Sequence, residues 1–579
     1  MHQKLPVGID LFEDLRKQDY YYVDKTNFIR DLLQNRGAVN LFTRPRRFGK
    51  TLMMSMLQAF FEIKTDQPLP QQKPDFLEIN EGFFKDLAIT KEHLICEKYM
   101  NQHPVIFLTL KTVEGKTFED ALGRLAFQIA NECIRLAFLA HSARVDKDYI
   151  SIFKSLKAGK ATTQQLAGCL RILTRMLHAH YGQKVILLLD EYDVPLDKAF
   201  DHGYYDDMIG FMRIFLGEAF KTNPALEFAV VTGCLRISKE SIFTGINNLE
   251  VDTILDNHYD EYFGFTDEEV KKMLADYCLC SSHDQLRLWY NGYHFGQANV
   301  YCPWDIVNHV KKLHNDTQTK PEAYWNNTSS NALVKRFIDK ADATTRKEIE
   351  QLIAGNTIDK TVLSNLTYAE IDESIDNLWS VLLLTGYLTQ KPALEKLPRN
   401  TLRLCIPNEE IKEIFIEKIQ KWFATTLRTD KAKEDQAKLY QAFLEGDCDT
   451  IQEILRLYLR TSISYYDGQE NYYHGFLAGL LTGGPWAVES NRESGTGRSD
   501  IILYPVDDSI GVVIEIKPAK DLTMIPRMCE SALAQIKNHS YQDAFLASEI
   551  KQARLFGIAF WKKSCGVTGQ LVAIDHDCE

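Results

Sequence analysis

Two groups of residues in this chain have the types and spacing that chemistry needs. The first is Gly49-Lys50-Thr51, preceded by Arg44-Pro45-Arg46-Arg47-Phe48. A helix that starts at such a glycine turns backbone N–H groups toward an anion. A lysine there reaches the β and γ phosphates of a nucleotide, and a hydroxyl coordinates Mg²⁺. The full pattern, G-x-x-x-x-G-K-[ST], has a glycine where this chain has Arg44. The loop backbone is therefore more restricted, and Arg44, Arg46 and Arg47 are expected to add positive charge to the phosphate cradle, with Phe48 beside them.

A tripeptide of this kind arises by chance, so it needs a partner. Val185-Ile186-Leu187-Leu188-Leu189-Asp190-Glu191 supplies one. An apolar strand ending in two acids predicts that Asp190 holds Mg²⁺ through water and that Glu191 polarises the attacking water. Asp193 reads as structural. A second apolar run, Phe228-Ala229-Val230-Val231-Thr232-Gly233, ends in a hydroxyl that could sense a γ phosphate. Arg236 follows four residues later, where it could reach phosphate in cis or act on a neighbouring subunit. The competing readings are a strand-end hydroxyl for Thr232 and a surface ion pair for Arg236.

The second group lies near the C-terminus. Gly497-Arg498-Ser499-Asp500 opens one apolar run, and Val512-Val513-Ile514-Glu515-Ile516-Lys517 forms the next. A hairpin is expected, with Asp500 starting its first strand. The two-residue period of a strand puts Val513, Glu515 and Lys517 on one face and Val512, Ile514 and Ile516 on the other. Two carboxylates and a lysine would then converge. Carboxylate oxygens suit Mg²⁺, and the lysine would orient or activate a water for phosphate chemistry. The bland alternative is an amphipathic hairpin with a surface ion pair.

The elements that position these groups can be read from periodicity. A helix is expected at 25–34, a strand at 38–43, the loop at 44–49 and a helix at 50–63. Residues 65–85, with Pro68, Pro70 and Pro74, read as a surface loop. A strand at 105–110 and helices at 118–139 and 164–180 follow. Continuous apolar strands at 185–189 and 228–232 suit a parallel sheet covered on both faces. After Phe263-Gly264-Phe265 the texture changes to short helices and aromatic turns. Residues 346–460 read as mostly helical, and 461–579 return to α/β texture. The expected division is 1–265, a P-loop domain; 266–345, a lid or winged-helix-like subdomain; 346–460, a helical linker; and 461–579, a second α/β domain.

Composition bounds the partners. With 45% hydrophobic and 25% charged residues the chain reads as globular throughout. Its net charge of −12 disfavours wholesale binding to nucleic acid or anionic lipid, so any such affinity must be local. Between residues 490 and 540 the acids even outnumber the bases, seven to six. The twelve cysteines are scattered, which argues against a zinc site and suits a reducing cytosol. No signal peptide and no run of about 18 apolar residues is present, so a cytoplasmic protein without a membrane span is expected.

Several of these stretches, together with Val23-Asp24-Lys25-Thr26, Phe243-Thr244-Gly245-Ile246-Asn247-Asn248-Leu249 and Trp289-Tyr290-Asn291-Gly292-Tyr293, resemble the AAA-ATPase-like family of bacterial proteins over residues 5–330. In that family arginine typically stands where other P-loops have their first glycine. The resemblance implies an ATPase-type core followed by a helical lid, with ATP and Mg²⁺ as cofactors. Residues 460–560 resemble the PD-(D/E)XK nuclease superfamily, an α/β restriction-endonuclease-like fold. The match runs through Glu470-Asn471-Tyr472-Tyr473-His474-Gly475-Phe476, Ser490-Asn491-Arg492-Glu493-Ser494-Gly495, Asp500 and Glu515-Ile516-Lys517. It implies that Asp500 and Glu515 are metal ligands, that Mn²⁺ is an alternative to Mg²⁺ there, and that Lys517 is the catalytic lysine. Gln535 matches a supporting position, and Glu470 fits the acid of the superfamily's first helix. His474, on the same helix face, reads as structural ahead of a ligand.

The leading expectation is therefore a bacterial ATPase coupled to a metal-dependent nuclease, acting on DNA ahead of RNA, with homo-oligomerisation allowed. The alternatives are an ATP-switched scaffold whose C-terminal domain binds without cutting, and an ATPase acting on protein partners.

Overall fold

The computed structural model describes residues 2–64, 82–236, 243, 249–327, 331–363, 366, 368–371, 373–393, 395–426, 430–462, 470–481, 486–494, 497–505, 510–546, 548 and 550–574. The fold is α/β, and it divides into two compact units. Residues Met1–Tyr324 with Asp359–Glu409 form the first, and Trp325–Ile358 with Glu410–Glu579 form the second. The stretch 346–460, expected as one helical linker, is thus shared between them.

The first unit is built on five parallel strands: β1 (Val39–Thr43), β2 (Val105–Thr109), β3 (Val185–Asp190), β4 (Leu226–Gly233) and β5 (Leu249–Asp252). Their order is β2-β3-β4-β1-β5. Every residue of β1 and β3 is buried, as continuous apolar runs covered on both faces require. β5 has no apolar run, is partly exposed and sits at the edge, so periodicity gave no sign of it. The strand order puts β4 between β1 and β3, so Thr232 lies across from Phe42 and beside Asp190. The helix expected at 118–139 ends at Arg135, with a separate 3₁₀ turn at Ala137–His141. The helix expected at 164–180 is two helices, Thr163–Ala167 and Cys169–Tyr181, interrupted at Gly168. Of the surface loop expected at 65–85, residues 65–81 lie outside the described residues.

Beyond this sheet, β6 (Phe265–Thr266), β7 (Tyr293–Phe295) and β8 (Ala298–Tyr301) form an antiparallel sheet in the order β6-β8-β7. Helices Asp267–Asp276, His283–Tyr290 and Pro303–Asn315 share a core around Val270, Leu274, Tyr290, Tyr301, Ile306 and Val310. The first begins with a reciprocal cap between Thr266 and Glu269. A further small sheet, of β9 (Ile358–Thr361), β10 (Thr389–Gln390) and β11 (Thr401–Cys405), accompanies the buried helix Ile375–Leu384.

The second unit holds a five-stranded mixed sheet: β12 (Trp486–Ser494), β13 (Gly497–Pro505), β14 (Gly511–Pro518), β15 (Gln552–Trp561) and β16 (Ser564–Ala573), in that order. Only β14 and β15 are parallel neighbours, and the helix Ile525–Asn538 makes their crossover. It lies flat on the sheet because Gly557 has no side chain: a Cβ there would strike the Cys529 carbonyl. On the other face Tyr473, from the helix Glu470–Leu481, stacks on Phe560 at 4.5 Å. Among the described residues no helix is long and apolar enough to cross a membrane.

Candidate functional sites

The first site forms at the carboxyl ends of β1, β3 and β4, where open α/β sheets hold their ligands. Gly49 adopts φ +82°, a left-handed conformation that glycine takes without strain, and Lys50 starts the helix Lys50–Phe61 immediately after it. Lys50 is almost wholly buried. Its ammonium donates to the carbonyls of Arg44 and Pro45, both at 3.1 Å, and lies 3.3 Å from Glu191 Oε1 and 3.7 Å from Cys234 Sγ. Burial works against its charge, but Cys234, Glu191, Asp193 and Asp190 hold its pKa above the usual lysine value.

Asp190 is completely buried and collects three hydroxyls. Thr51 Oγ1 donates to Oδ2 at 2.8 Å, Thr232 Oγ1 to Oδ1 at 2.6 Å and Thr109 Oγ1 to Oδ2 at 3.3 Å. Burial, then the neighbouring Glu191 charge, raises the Asp190 pKa. Glu191 sits at φ +55°, a strained conformation for a side chain of its size, and its backbone N–H faces Thr232 Oγ1 at 3.4 Å. Asp193 is buried, and its carboxylate accepts from the N–H groups of Cys234 and Leu235 at 2.9 and 3.0 Å. Burial and the Glu191 charge push its pKa up to about 6. It ties the turn after β3 to the turn after β4. The hydroxyl of Thr51 and the carboxylate of Asp190 form an all-oxygen pair, the donor chemistry that Mg²⁺ takes while keeping several waters. Among the described residues no cluster of three His, Cys, Asp or Glu side chains could hold a metal unaided, so water and phosphate oxygens would complete its shell.

The loop arginines are placed differently from the expected phosphate cradle. Arg44 is fully buried and directed to Asp252 on β5, with the rings of Phe263 and Phe295 nearby at 5.0 and 5.9 Å. Arg46 reaches Asp197 at 3.5 Å. Arg47, at φ +71°, donates to the Tyr324 carbonyl at 2.6 Å and lies over the Trp304 ring at 4.8 Å. Phe48 is buried against Tyr293 and Phe295, with ring centroids 4.9 and 5.0 Å away. The loop that lacks its first glycine is thus anchored by four side chains to its surroundings. Arg236 ends the described stretch after β4, with its Nε buried. Sequence reasoning passed over Thr109, Cys234 and Asp252. Thr109 could have been found, because it is a hydroxyl at the carboxyl end of β2, as Thr232 is near that of β4.

The second site lies on the face of the C-terminal sheet that carries the helix Ile525–Asn538. Ile502 opposes Val513 and Ile501 opposes Ile514. Continuing that register sets Asp500 across from Glu515. Asp500 Oδ2 accepts from the Ile516 N–H at 2.7 Å. Burial lifts its pKa to about 6, against the pull of that N–H and of Lys517. Glu515 is almost fully buried, with Lys517 Nζ at 3.6 Å and the Gln535 amide donating to its Oε1. Gln535 also reaches Tyr541 Oη at 3.4 Å, a contact that no motif announces. The expected parity holds: Val513 packs with Leu533 and Ile536 of the same helix that supplies Gln535. His474 donates from Nε2 to the Asp500 carbonyl at 2.8 Å, as a structural histidine would. Glu470 begins its helix, and its side chain lies outside the described residues, as do those of residues 490–498. Asp500 and Glu515 offer carboxylate oxygens with a lysine alongside, a donor set that suits Mg²⁺ or Mn²⁺.

Residues 6–243 match the family described as "Predicted AAA-ATPase", and residues 468–569 match the PD-(D/E)XK nuclease superfamily. One chain thus carries an AAA-ATPase-like match ahead of a PD-(D/E)XK match. A relative from Azotobacter chroococcum mcd 1, described as "Uncharacterized protein in vnfD 5'region", is 24% identical over 584 residues, covering 98% of this chain and 99% of its own. No solved structure matches the chain. The AAA-ATPase-like match contains Arg44, Lys50, Thr51, Thr109, Asp190, Glu191, Asp193, Thr232 and Cys234, whereas Asp252 and the aromatic partners of the loop arginines lie beyond it; the PD-(D/E)XK match contains Asp500, Glu515, Lys517 and Gln535.

Proposed function

We propose that this protein binds and hydrolyses ATP at its N-terminal site and cleaves phosphodiester bonds of nucleic acid, DNA ahead of RNA, at its C-terminal site, with nucleotide state regulating the cleavage. The observation that carries the reading is the meeting of Asp500, Glu515 and Lys517 on one sheet face, with Gln535 fixing the Glu515 carboxylate. A bound Mg²⁺ or Mn²⁺ would neutralise charge on the scissile phosphate and lower the pKa of a water. Asp500 and Glu515 would hold it. Lys517, partly exposed beside Glu515, orients the attacking water and meets the negative charge that develops on the phosphate.

At the other site Lys50, held by two carbonyls and Glu191, would meet the β and γ phosphates, and Thr51 and Asp190, the latter through water, would hold the Mg²⁺ of the nucleotide. Glu191, beside Lys50, would polarise the hydrolytic water, and Thr232, bonded to Asp190, would sense the γ phosphate. A cytoplasmic setting and assembly into homo-oligomers belong to the same proposal.

The test is a cleavage assay on duplex DNA, single-stranded DNA and RNA with Mg²⁺ or Mn²⁺, with and without ATP. Lys517→Ala should abolish cutting and leave ATP turnover in place. Lys50→Ala should abolish ATP turnover and remove the effect of ATP on cutting. Cutting unchanged in Lys517→Ala would overturn the nuclease assignment. The excess of acids over bases at 490–540 favours one competitor, a scaffold that binds without cutting, and divalent-ion binding by calorimetry separates the two readings.

A further inference from the structure

An acidic chain that cuts a polyanion needs local positive charge beside its reactive groups. The sheet of the second unit carries such charge at one end. β14 and β15 run parallel, with Lys517 beside Ala559 and Pro518 beside Phe560. Both strands therefore finish at the same rim. Just past that point β14 gives way to the exposed Lys520, and β15 turns into β16 through a two-residue hairpin loop, Lys562-Lys563, closed by the Trp561–Ser564 pair. At about 3.3 Å per residue, this loop stands about 10 Å above the level of Lys517, one strand across.

Three details show that the rim is built. Trp561 donates from Nε1 to the Lys520 carbonyl at 3.0 Å, which fixes the strand exit against the hairpin. The Lys562 ammonium lies 4.8 Å from the centre of the Trp561 ring, and the indole packs against the cluster of Ala519, Ile525, Cys529 and Ala559. The Lys562 carbonyl accepts from Tyr473 Oη at 3.1 Å, so the turn is held from the other face of the sheet as well. Lys562 itself adopts φ +50°. Tight hairpin loops put glycine or asparagine at such positions, because other residues are strained there. Here a lysine takes the strain, and a second lysine follows it. The acid closest in sequence, Asp521, is engaged by the N–H groups of Thr523 and Met524 and by the Thr523 hydroxyl.

We infer that Lys520, Lys562 and Lys563, organised by Trp561, form a phosphate-binding rim that grips the backbone of a nucleic-acid strand next to the phosphate cut at Asp500, Glu515 and Lys517. The rim reads charge, not sequence, because lysine ammoniums are point charges without the fork needed for base edges. It deepens the proposed nuclease reading and rests on it for the identity of the cut bond only. The contact itself is a binding property and is measured without cutting.

The experiment uses the full-length chain carrying Lys517→Ala, with fluorescein-labelled duplex and single-stranded oligonucleotides, and anisotropy titrations from 50 to 200 mM salt as the readout. Adding Lys520→Ala, Lys562→Ala and Lys563→Ala should weaken binding about tenfold or more at the lower salt and reduce the salt slope by about two to three, the loss expected for two or three phosphate contacts. The three lysine-to-arginine changes should keep the slope. In the otherwise native chain the alanine triple should raise KM for cleavage and leave kcat at saturation in place. An unchanged slope and affinity in the alanine triple would overturn the rim, even where the protein cuts. A chain that binds through these lysines and never cuts would overturn the nuclease reading and leave the rim standing. Circular dichroism and thermal unfolding of the triple establish that it folds; Trp561→Phe, which keeps the packing and loses the bond to Lys520, should weaken binding to an intermediate degree.

Discussion

The Arg44 guanidinium, none of it exposed, lies 2.5 Å from Asp252 Oδ1 and also donates to the carbonyls of Asp252 and Thr43, both at 3.0 Å. One side chain thus ties the first residue of the P-loop to the edge strand β5. Where a glycine would let this loop bend freely, an ion pair fixes it.

Breaking that pair should therefore cost stability first and phosphate affinity second. A buried charge left without its partner is worth about 3–5 kcal/mol. Arg44→Ala and Asp252→Ala should each lower the unfolding transition of the N-terminal unit by an amount of that order, and Arg44→Lys should recover only part, since lysine cannot reproduce the forked contacts. Thermal and urea unfolding measure this. A variant with weakened ATP binding and undisturbed unfolding would instead mean that Arg44 touches phosphate.

Lys50 and Glu191 predict a separable pair of effects. Lys50 is held by Glu191 and by two loop carbonyls, so nucleotide must compete for it. Glu191→Gln weakens that hold and removes the carboxylate proposed to polarise water. It should bind ATP as tightly as the native chain or more so, with turnover down by about 100-fold or more, in the range of losing general-base catalysis. Lys50→Ala should lose binding itself. Fluorescent-nucleotide titration and phosphate release distinguish the two, and equal loss of binding in both variants would contradict the assignment of roles.

These relationships were unequally legible in the sequence. Apolar runs announced β1 to β4 and the C-terminal hairpin, because buried parallel strands and period-two alternation leave a mark in composition. The grouping of Lys50, Thr51, Asp190 and Thr232 followed from motif residues at strand ends. The destinations of Arg44, Arg46 and Arg47 did not, since Asp252, Asp197 and Tyr324 lie 151 to 277 residues away along the chain. A charge in a loop looks the same whether it meets a phosphate or an internal carboxylate; only the fold distinguishes them. β5 was invisible for a related reason: an edge strand of four residues, partly exposed, needs no apolar run.

Asp267 supplies a pH dependence. It accepts from Tyr301 Oη at 2.6 Å, from His283 Nε2 at 2.9 Å and from Lys271 Nζ at 2.8 Å. Burial works to raise its pKa, but the bonds from Lys271, Tyr301 and His283 outweigh it and hold the carboxyl well below the ordinary range. A carboxylate depressed by folding stabilises the fold above its unfolded pKa of about 3.9 and stops doing so as pH falls through the folded value. Asp267→Asn should therefore lower the melting temperature of the N-terminal unit at neutral pH, and the gap to the native chain should close on acidification below about pH 4. A gap that stays constant across that range would mean that the carboxylate charge is not what these three donors serve.

Gln535 gives the sharpest test of the C-terminal site, because it acts on Glu515 and not on the substrate. Its amide donates to Glu515 Oε1 and also faces Tyr541 Oη, so it fixes the orientation of a buried carboxylate. Partners that orient a metal ligand typically account for about 10- to 100-fold in metal affinity or activity. Gln535→Ala should reduce cleavage by that factor and shift its half-saturation to higher Mg²⁺, so that added metal restores part of the rate. Glu515→Gln should lose the proposed cleavage at every metal concentration, and a chelator should stop cleavage by the native chain outright. Gln535→Glu sets a second carboxylate against the first; the repulsion should rotate Glu515 away and cost more than the alanine change. A Gln535→Ala chain with an unaltered metal requirement would mean that Glu515 is held in place by its burial alone.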